Sequence, residues 1–207
     1  MNRYPSLTVV RDDIRESYSV LEKCFLNGGK LLIAGNGGSC ADAEHIVGEL
    51  MKGFCLTRPT DEAFAAKLNA IDPNGGPELS RVLQGALPAI ALDGHNALST
   101  AYANDVDGRY CFAQQVYGYG REGDVFLGIS TSGNSFNVIT AATVAKAKDM
   151  KILGLTGEGG GRLSELADVI VRVPERETYR IQELHLPVYH CLCLMLEERF
   201  FGDKREI

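Results

Sequence analysis

The chain has 207 residues, 45% of them hydrophobic and 23% charged, which supports one packed core and excludes a disordered or fibrous chain. With 21 Lys and Arg against 27 Asp and Glu, the formal charge of -6 argues against nucleic acid as a partner, although backbone N–H groups at a helix N-terminus can still hold a local anion. No run of about 18 apolar residues occurs, the amino terminus does not read as a signal peptide, and six cysteines form no CxxC pair, so a cytoplasmic, membrane-free protein with reduced thiols is expected.

Val10, Ile14, Tyr18, Leu21 and Phe25 recur at helical spacing and predict an amphipathic helix that ends near Asn27-Gly28-Gly29. Lys30 to Ala34 reads as a buried strand, Gly35 to Ser39 as a glycine turn and Cys40 to Phe54 as a second helix. Residues 60–86 read as two short helices split by Asp72-Pro73-Asn74-Gly75-Gly76-Pro77, an insertion before a strand at Ala89 to Leu92. The strand, turn and helix order returns at Asp124–Ile129, Ser130–Ser135 and Val138–Ala147. It returns again at Lys151–Leu155, Thr156–Gly161 and Leu163–Ala167. A strand at Val169–Val173 and a long helix over Tyr179–Phe201 close the chain. Such units in series imply an α/β fold, a parallel sheet with helices on both faces.

Turns that follow parallel strands expose backbone N–H groups at helix N-termini, the chemistry of a phosphate cradle. Ser130-Thr131-Ser132-Gly133-Asn134-Ser135 adds hydroxyl and amide donors, although a Ser- and Asn-capped helix start explains the same composition. Gly35-Asn36-Gly37-Gly38 matches neither the dinucleotide fingerprint nor a P-loop, and Thr156–Gly161 reads as a flexible connection rather than as a third cradle. His45 and Glu49 lie one helical turn apart on one face, as a metal or proton-transfer pair does and as an ordinary surface pair does too. Gln182, Glu183, His185 and His190 make a polar stripe in an otherwise apolar helix. Metal ligation and structurally buried histidines account for it equally well. His95 falls in a loop without a partner.

Leu31 to Phe54, LLIAGNGGSCADAEHIVGELMKGF, resembles the first signature of the sedoheptulose 7-phosphate isomerase (phosphoheptose isomerase) family of sugar isomerase (SIS) domain proteins. The resemblance continues through Leu87 to Leu92, Asn104-Asp105, Gly120 to Asp124, Gly128 to Ser135 and Arg180 to Glu197. It implies a flavodoxin-like SIS domain over residues 1–207, departing from the family's short connection at about 60–86. It also implies a cytoplasmic homotetramer with active sites at subunit interfaces. The implied reaction converts sedoheptulose 7-phosphate to D-glycero-D-manno-heptose 7-phosphate, the first step toward nucleotide-activated heptose. Carried onto this chain, Ser130, Thr131, Ser132 and Ser135 would hold the phosphate, and Asn36, Gly37, Gly38, Asn104 and Asp105 the sugar. Glu49 and Gln182 would touch substrate as well. His45, Glu49, Gln182 and His190 would bind one zinc per subunit, with Glu49 as base and His190 as acid. Gln182 and His190 are about 12 Å apart along a straight helix, so either Pro187 bends it or neighbouring subunits share sites. Cys40 stands where the family usually has a small residue, which reads as a neutral packing change. Two non-enzymatic SIS branches remain as alternatives: adaptors of the replication initiator protein, and sugar-phosphate sensors.

Overall fold

The structure, a computed structural model, describes residues 3–202. A 3-10 turn at Pro5–Val10 leads into α1 (Arg11–Leu26), β1 (Leu31–Ala34) and α2 (Gly38–Met51). The short helices α3 (Glu62–Ile71) and α4 (Gly76–Val82) precede β2 (Ala89–Ala91). Then come α5 (Asn96–Asp105), α6 (Cys111–Tyr119), β3 (Val125–Ile129), α7 (Phe136–Ala147) and β4 (Lys151–Thr156). The last elements are α8 (Leu163–Leu166), β5 (Val169–Arg172) and α9 (Thr178–Phe201).

The five strands are parallel in the order β2-β1-β3-β4-β5. Successive strand residues point to opposite faces, so Leu31 and Ile33 pack with α1, α2 and α9, whereas Leu32 and Ala34 pack with α6, α7 and α8. Chain order reverses between β1 and β3, the place in an open α/β sheet where crossover helices diverge and leave a crevice at the carboxyl ends of the strands. At the opposite edge, Asp124 accepts from the Lys30 and Arg121 backbone N–H groups, both at 2.9 Å, and from Lys30 Nζ at 2.5 Å, which locks β1 beside β3.

Helices α5 and α6 were not visible in the hydropathy pattern. No residue of α5 is buried, so it carries no apolar stripe. The segment 60–86 forms α3 and α4, which pack on each other; α3 buries none of its residues, and Phe64, Ile71, Leu79 and Val82 stay exposed.

The last helix runs unbroken through Pro187. Helices α2 and α9 lie side by side and run in the same direction: Gln182 meets Gly38, Tyr189 meets Asp42 and His45, and Glu197 meets the chain just beyond α2. Their far ends are clamped by Arg58 and Glu197, 1% exposed each. The Glu197 carboxylate accepts from Arg58 Nε at 2.9 Å and from the N–H groups of Phe54 and Cys55 at 2.8 Å. The same guanidinium donates to the carbonyls of Leu50 and Glu49, both at 2.9 Å, so it also caps α2. Burial works to raise the Glu197 pKa, but the two backbone donors and Arg58 outweigh it and hold the carboxyl below its ordinary value of 4.5. Removing one member leaves the other charge buried and unpaired, so Glu197→Ala is expected to cost about 3–5 kcal/mol in urea unfolding.

His185 is fully buried, and neither ring nitrogen has a hydrogen-bond partner among the described residues. Burial pushes its pKa down to about 4; the Thr156 backbone nearby pulls the other way but falls short of a hydrogen bond to either ring nitrogen. The unfolded chain therefore takes a proton first, and stability falls as pH drops from the ordinary value of 6.5 toward 4. Urea midpoints measured across that window should lose about 3 kcal/mol of stability, and His185→Phe should flatten the slope. Glu197 has its own window, below 4.5, where protonation removes the stability of the clamp.

Candidate active site

Two groups of residues carry chemistry. The first lies in the crevice at the carboxyl ends of β1 and β3. After β1, Gly37 takes φ +57°, and a Cβ at Gly35 would run into the Ser39 backbone, so the turn is tight, with Asn36, Gly37 and Gly38 exposed. Asn36 and Asn137 exchange amide hydrogen bonds of 2.9 and 2.8 Å, which stitches this turn to the start of α7.

After β3, the hydroxyls of Ser130 and Ser135 are 3.0 Å apart, and the Asn134 N–H donates to Ser132 Oγ at 3.2 Å. Thr156–Gly161 is not the flexible connection expected from its glycines. Gly157 N–H donates to the Thr131 carbonyl and Leu163 N–H to the Gly133 carbonyl, both at 3.0 Å, and Arg162 N–H donates to Asn134 Oδ1 at 3.0 Å. Glycine serves here for close approach: Gly160 and Gly161 have φ of +71° and +55°, and their backbone presses on Ser132 and Gly133. A cavity of about 360 Å³ opens beside this braced loop, lined by Thr131, Ser132, Gly157, Glu158, Arg176 and Ile181. With the N-terminus of α7 behind it, the loop can receive an anionic group.

Gln182 belongs to this first group, because its amide packs against Gly38 at the start of α2. Asn104 and Asp105 sit exposed at the end of α5, where Asn104 Nδ2 donates to Asp105 Oδ1 at 2.8 Å, and no hydrogen bond among the described residues ties them to either turn. Cys40 is not a neutral packing change. Its thiol hydrogen-bonds the Asp93 carboxylate, and burial together with that carboxylate pushes its pKa up to about 12, so it stays protonated and inert.

The second group lies two turns further along the α2–α9 pair. His45 Nε2 is 3.1 Å from Glu49 Oε1 and 3.5 Å from His190 Nε2. The His45 and His190 rings meet edge to face, with centroids 5.0 Å apart. His45 Nδ1 reaches Tyr189 Oη at 3.0 Å. Glu49 Oε2 is buried without a hydrogen bond among the described residues, with Lys52 Nζ 3.9 Å away. Burial, then the neighbouring His45, lowers the His190 pKa below 6.5, while Glu49 pulls the other way. The ring is neutral at pH 7, free to accept a proton or a metal.

No finished cage of three His, Cys, Asp or Glu side chains is gathered among the described residues. The two pairs do stand near the spacing, roughly 3.3 Å, between ligands on a tetrahedral ion with bonds of about 2.0 Å. Glu49 Oε2 is the kind of orphaned atom that such an ion satisfies. His45, Glu49 and His190 thus fit a zinc ion. Gln182, about 10 Å away along α2, does not join them within one chain.

Sequence reasoning missed Arg58, Tyr189, Asp42 and Asn137, which hold these groups in place. A polar residue reads as solvent-facing unless its partner, 139 residues away for Arg58 and Glu197, is known.

The switch-point crevice and its serine turn place the chain among SIS-domain proteins, and the family model of the SIS domain matches residues 75–157. The phosphoheptose isomerase of Aneurinibacillus thermoaerophilus is 39% identical over 180 residues, which cover 87% of this chain and 78% of that protein. That of Burkholderia pseudomallei is 41% identical over 177 residues, covering 86% and 77%. The solved phosphoheptose isomerase of Neisseria gonorrhoeae superposes with a TM-score of 0.76 at 32% identity, over 95% of this chain and 91% of that one. The chain belongs to the phosphoheptose isomerase family.

The braced serine turn yields a direct expectation. A Cβ at Gly133 would meet the Gly160 carbonyl at a positive φ, so Gly133→Ala should cost about 1–3 kcal/mol in thermal unfolding. It should also remove the binding of inorganic phosphate in calorimetry, whereas Asn104→Ala should leave that binding intact.

Proposed function

We propose that the protein interconverts sedoheptulose 7-phosphate and D-glycero-D-manno-heptose 7-phosphate, a cytoplasmic step toward nucleotide-activated heptose. The observation that carries this reading is the meeting of one carboxylate and two imidazoles, His45 Nε2 facing Glu49 at 3.1 Å and His190 at 3.5 Å, in a chain of this family. A binding-only adaptor or sensor has no use for such a group.

Aldose–ketose isomerisation moves a carbonyl between C2 and C1. Glu49 takes the proton from C1, and the electrons of that C–H bond form the C1–C2 double bond of an enediol(ate). His190, neutral at rest, must first take up a proton, which it then delivers to C2; its lowered pKa makes the imidazolium a ready donor. The hydroxyl proton passes from O1 to O2, and the cycle closes when the proton held by Glu49 returns to His190. Ser130, Thr131, Ser132 and Ser135 hold the phosphate at the far end. Asn36, Gly37, Gly38 and Gln182 line the sugar, with Asn104 and Asp105 assigned the same role by resemblance. One zinc per subunit, held by His45, Glu49 and His190, would stabilise negative charge developing on the sugar oxygens. Gln182 from a neighbouring copy would complete the set. A tight ligand is a weaker base, and an imidazole nitrogen bound to a metal carries no proton, so the ligand and acid/base roles of both Glu49 and His190 compete.

Self-association into a homotetramer with shared sites belongs to the same reading. His190 lines a largely apolar groove of about 440 Å³ between the N-terminal segment and α9, with Tyr4, Leu7, Leu186 and Leu194. That face suits a second copy.

Incubation of zinc-replete protein with sedoheptulose 7-phosphate in heavy water should give an aldose phosphate signal by NMR, with deuterium at C2. Glu49→Gln and His190→Ala should each lower turnover by about 10²–10⁴-fold with the fold intact. Ser132→Ala should mainly raise KM. Near-normal rates in both acid/base variants would sink the mechanism.

A further inference from the structure

Tyr189 has no part in the proton transfers above, yet its phenolic oxygen is the hub between α2 and α9. The residue is 2% exposed. Its hydroxyl lies 3.2 Å from Asp42 Oδ1, to which it donates, and 3.0 Å from His45 Nδ1. A phenol has one hydrogen. Once that hydrogen points at Asp42, only lone pairs remain to meet His45, and the 3.0 Å contact is a hydrogen bond only if Nδ1 carries its own hydrogen. In the neutral ring Nε2 is then bare, and Nε2 is the atom that faces Glu49 and His190.

We propose that Asp42 and Tyr189 are positioning residues that lock His45 in its Nδ1–H tautomer, so that the Nε2 lone pair is aimed between Glu49 and His190. The lock leaves two bare acceptors 3.1 Å apart, His45 Nε2 and the Glu49 carboxylate, with His190 Nε2 3.5 Å from the first. Acceptors held this close repel one another until a positive occupant enters, a proton or a metal ion. Partners on the outer nitrogen of a ligating histidine fix its tautomer and ring orientation, and their loss costs about 10–100-fold in metal affinity. The inference rests on the isomerase reading only where it treats His45 as a zinc ligand; the tautomer is set by Tyr189 donating to Asp42, against the 3.1 Å Glu49 contact, which without a positive occupant would favour a hydrogen on Nε2.

The chain has 4 histidines, so long-range proton–nitrogen NMR of 15N-histidine-labelled protein resolves them, with His45 assigned through His45→Gln. In chelator-treated wild type at about pH 8.5, above the ordinary imidazole range, His45 should show the Nδ1–H pattern. Asp42→Ala frees the phenolic hydrogen to turn toward Nδ1 and should move His45 to the Nε2–H form, while Asp42→Asn, which keeps an acceptor, should restore the wild-type pattern. Tyr189→Phe keeps the buried ring and should weaken zinc binding about 10–100-fold in chelator competition. An Nε2–H pattern in wild type would overturn the proposal. So would Tyr189→Phe and Asp42→Ala proteins, folded by circular dichroism, with unchanged tautomer and zinc affinity. Absence of turnover on sedoheptulose 7-phosphate beside the expected spectra overturns the substrate assignment and leaves the lock supported.

Discussion

The geometry of the acid/base group depends on one buried ion pair, Arg58 with Glu197. Two helices that bring a carboxylate and two imidazoles together must resist the repulsion of those groups, and apolar packing alone fixes neither their register nor their rotation. The clamp supplies both. Its guanidinium is spent on the Glu197 carboxylate and on the carbonyls of Glu49 and Leu50, so the backbone that carries Glu49 is tied directly to α9. Glu197 is two turns beyond His190 on the same helix, and this sets His190 opposite His45. A buried pair of this kind is weak evidence for net stability, because desolvation offsets much of the attraction. With one hydrogen from each guanidinium nitrogen directed at a named acceptor, its clearer contribution is a single register of α2 against α9.

The two functional groups obey different physics. The turns at the switch point use backbone dipoles and hydroxyls, which bind an anion without titrating. The helix-pair group uses side chains whose charge states respond to one another, and it lies about 10 Å away along α2. An extended seven-carbon sugar phosphate is a molecule of that order of length. One end can be gripped by a site that does not change while the other meets groups that must exchange protons. The bracing of Ser130–Ser135 by Thr156–Gly161 suits the first requirement, because a cradle that held a phosphate rigidly would keep the reacting carbons in register with Glu49 under the proposed function.

Much of this was legible from the amino-acid order. All five strands, most of the helices flanking them and the serine turn follow from apolar runs broken by Gly, Ser and Asn, since a parallel sheet buried on both faces writes continuous hydrophobic strands. The α5 and α6 helices were not legible: α5 buries nothing, and α6 is short and ends near Gly118 and Gly120. His45 and Glu49 could be paired by their spacing, since one helix turn is a local fact. That Gln182 stands with the turns rather than with His45 could not, because it depends on α9 running straight and parallel to α2. Arg58, Asp42 and Tyr189 were unreadable for the same reason, as their meaning lies wholly in contacts between segments distant in the chain.

The placement of Gln182 bears on how the site is completed. A zinc ion, if held by His45, Glu49 and His190, would not take the same chain's Gln182 as a further ligand, because that amide is committed to Gly38 at the other end of α2. Completion of the set would fall to a neighbouring copy, to water or to the substrate. His45 has a side chain 42% exposed, and the groove that His190 lines is open, so the group faces outward rather than into the core. A buried structural histidine looks different: His185, five residues earlier on α9, is sealed in, unpartnered and pushed down to about pKa 4. The same helix therefore carries one imidazole held neutral by apolar burial and another held neutral at an open, polar centre, and only the second is placed to exchange a proton.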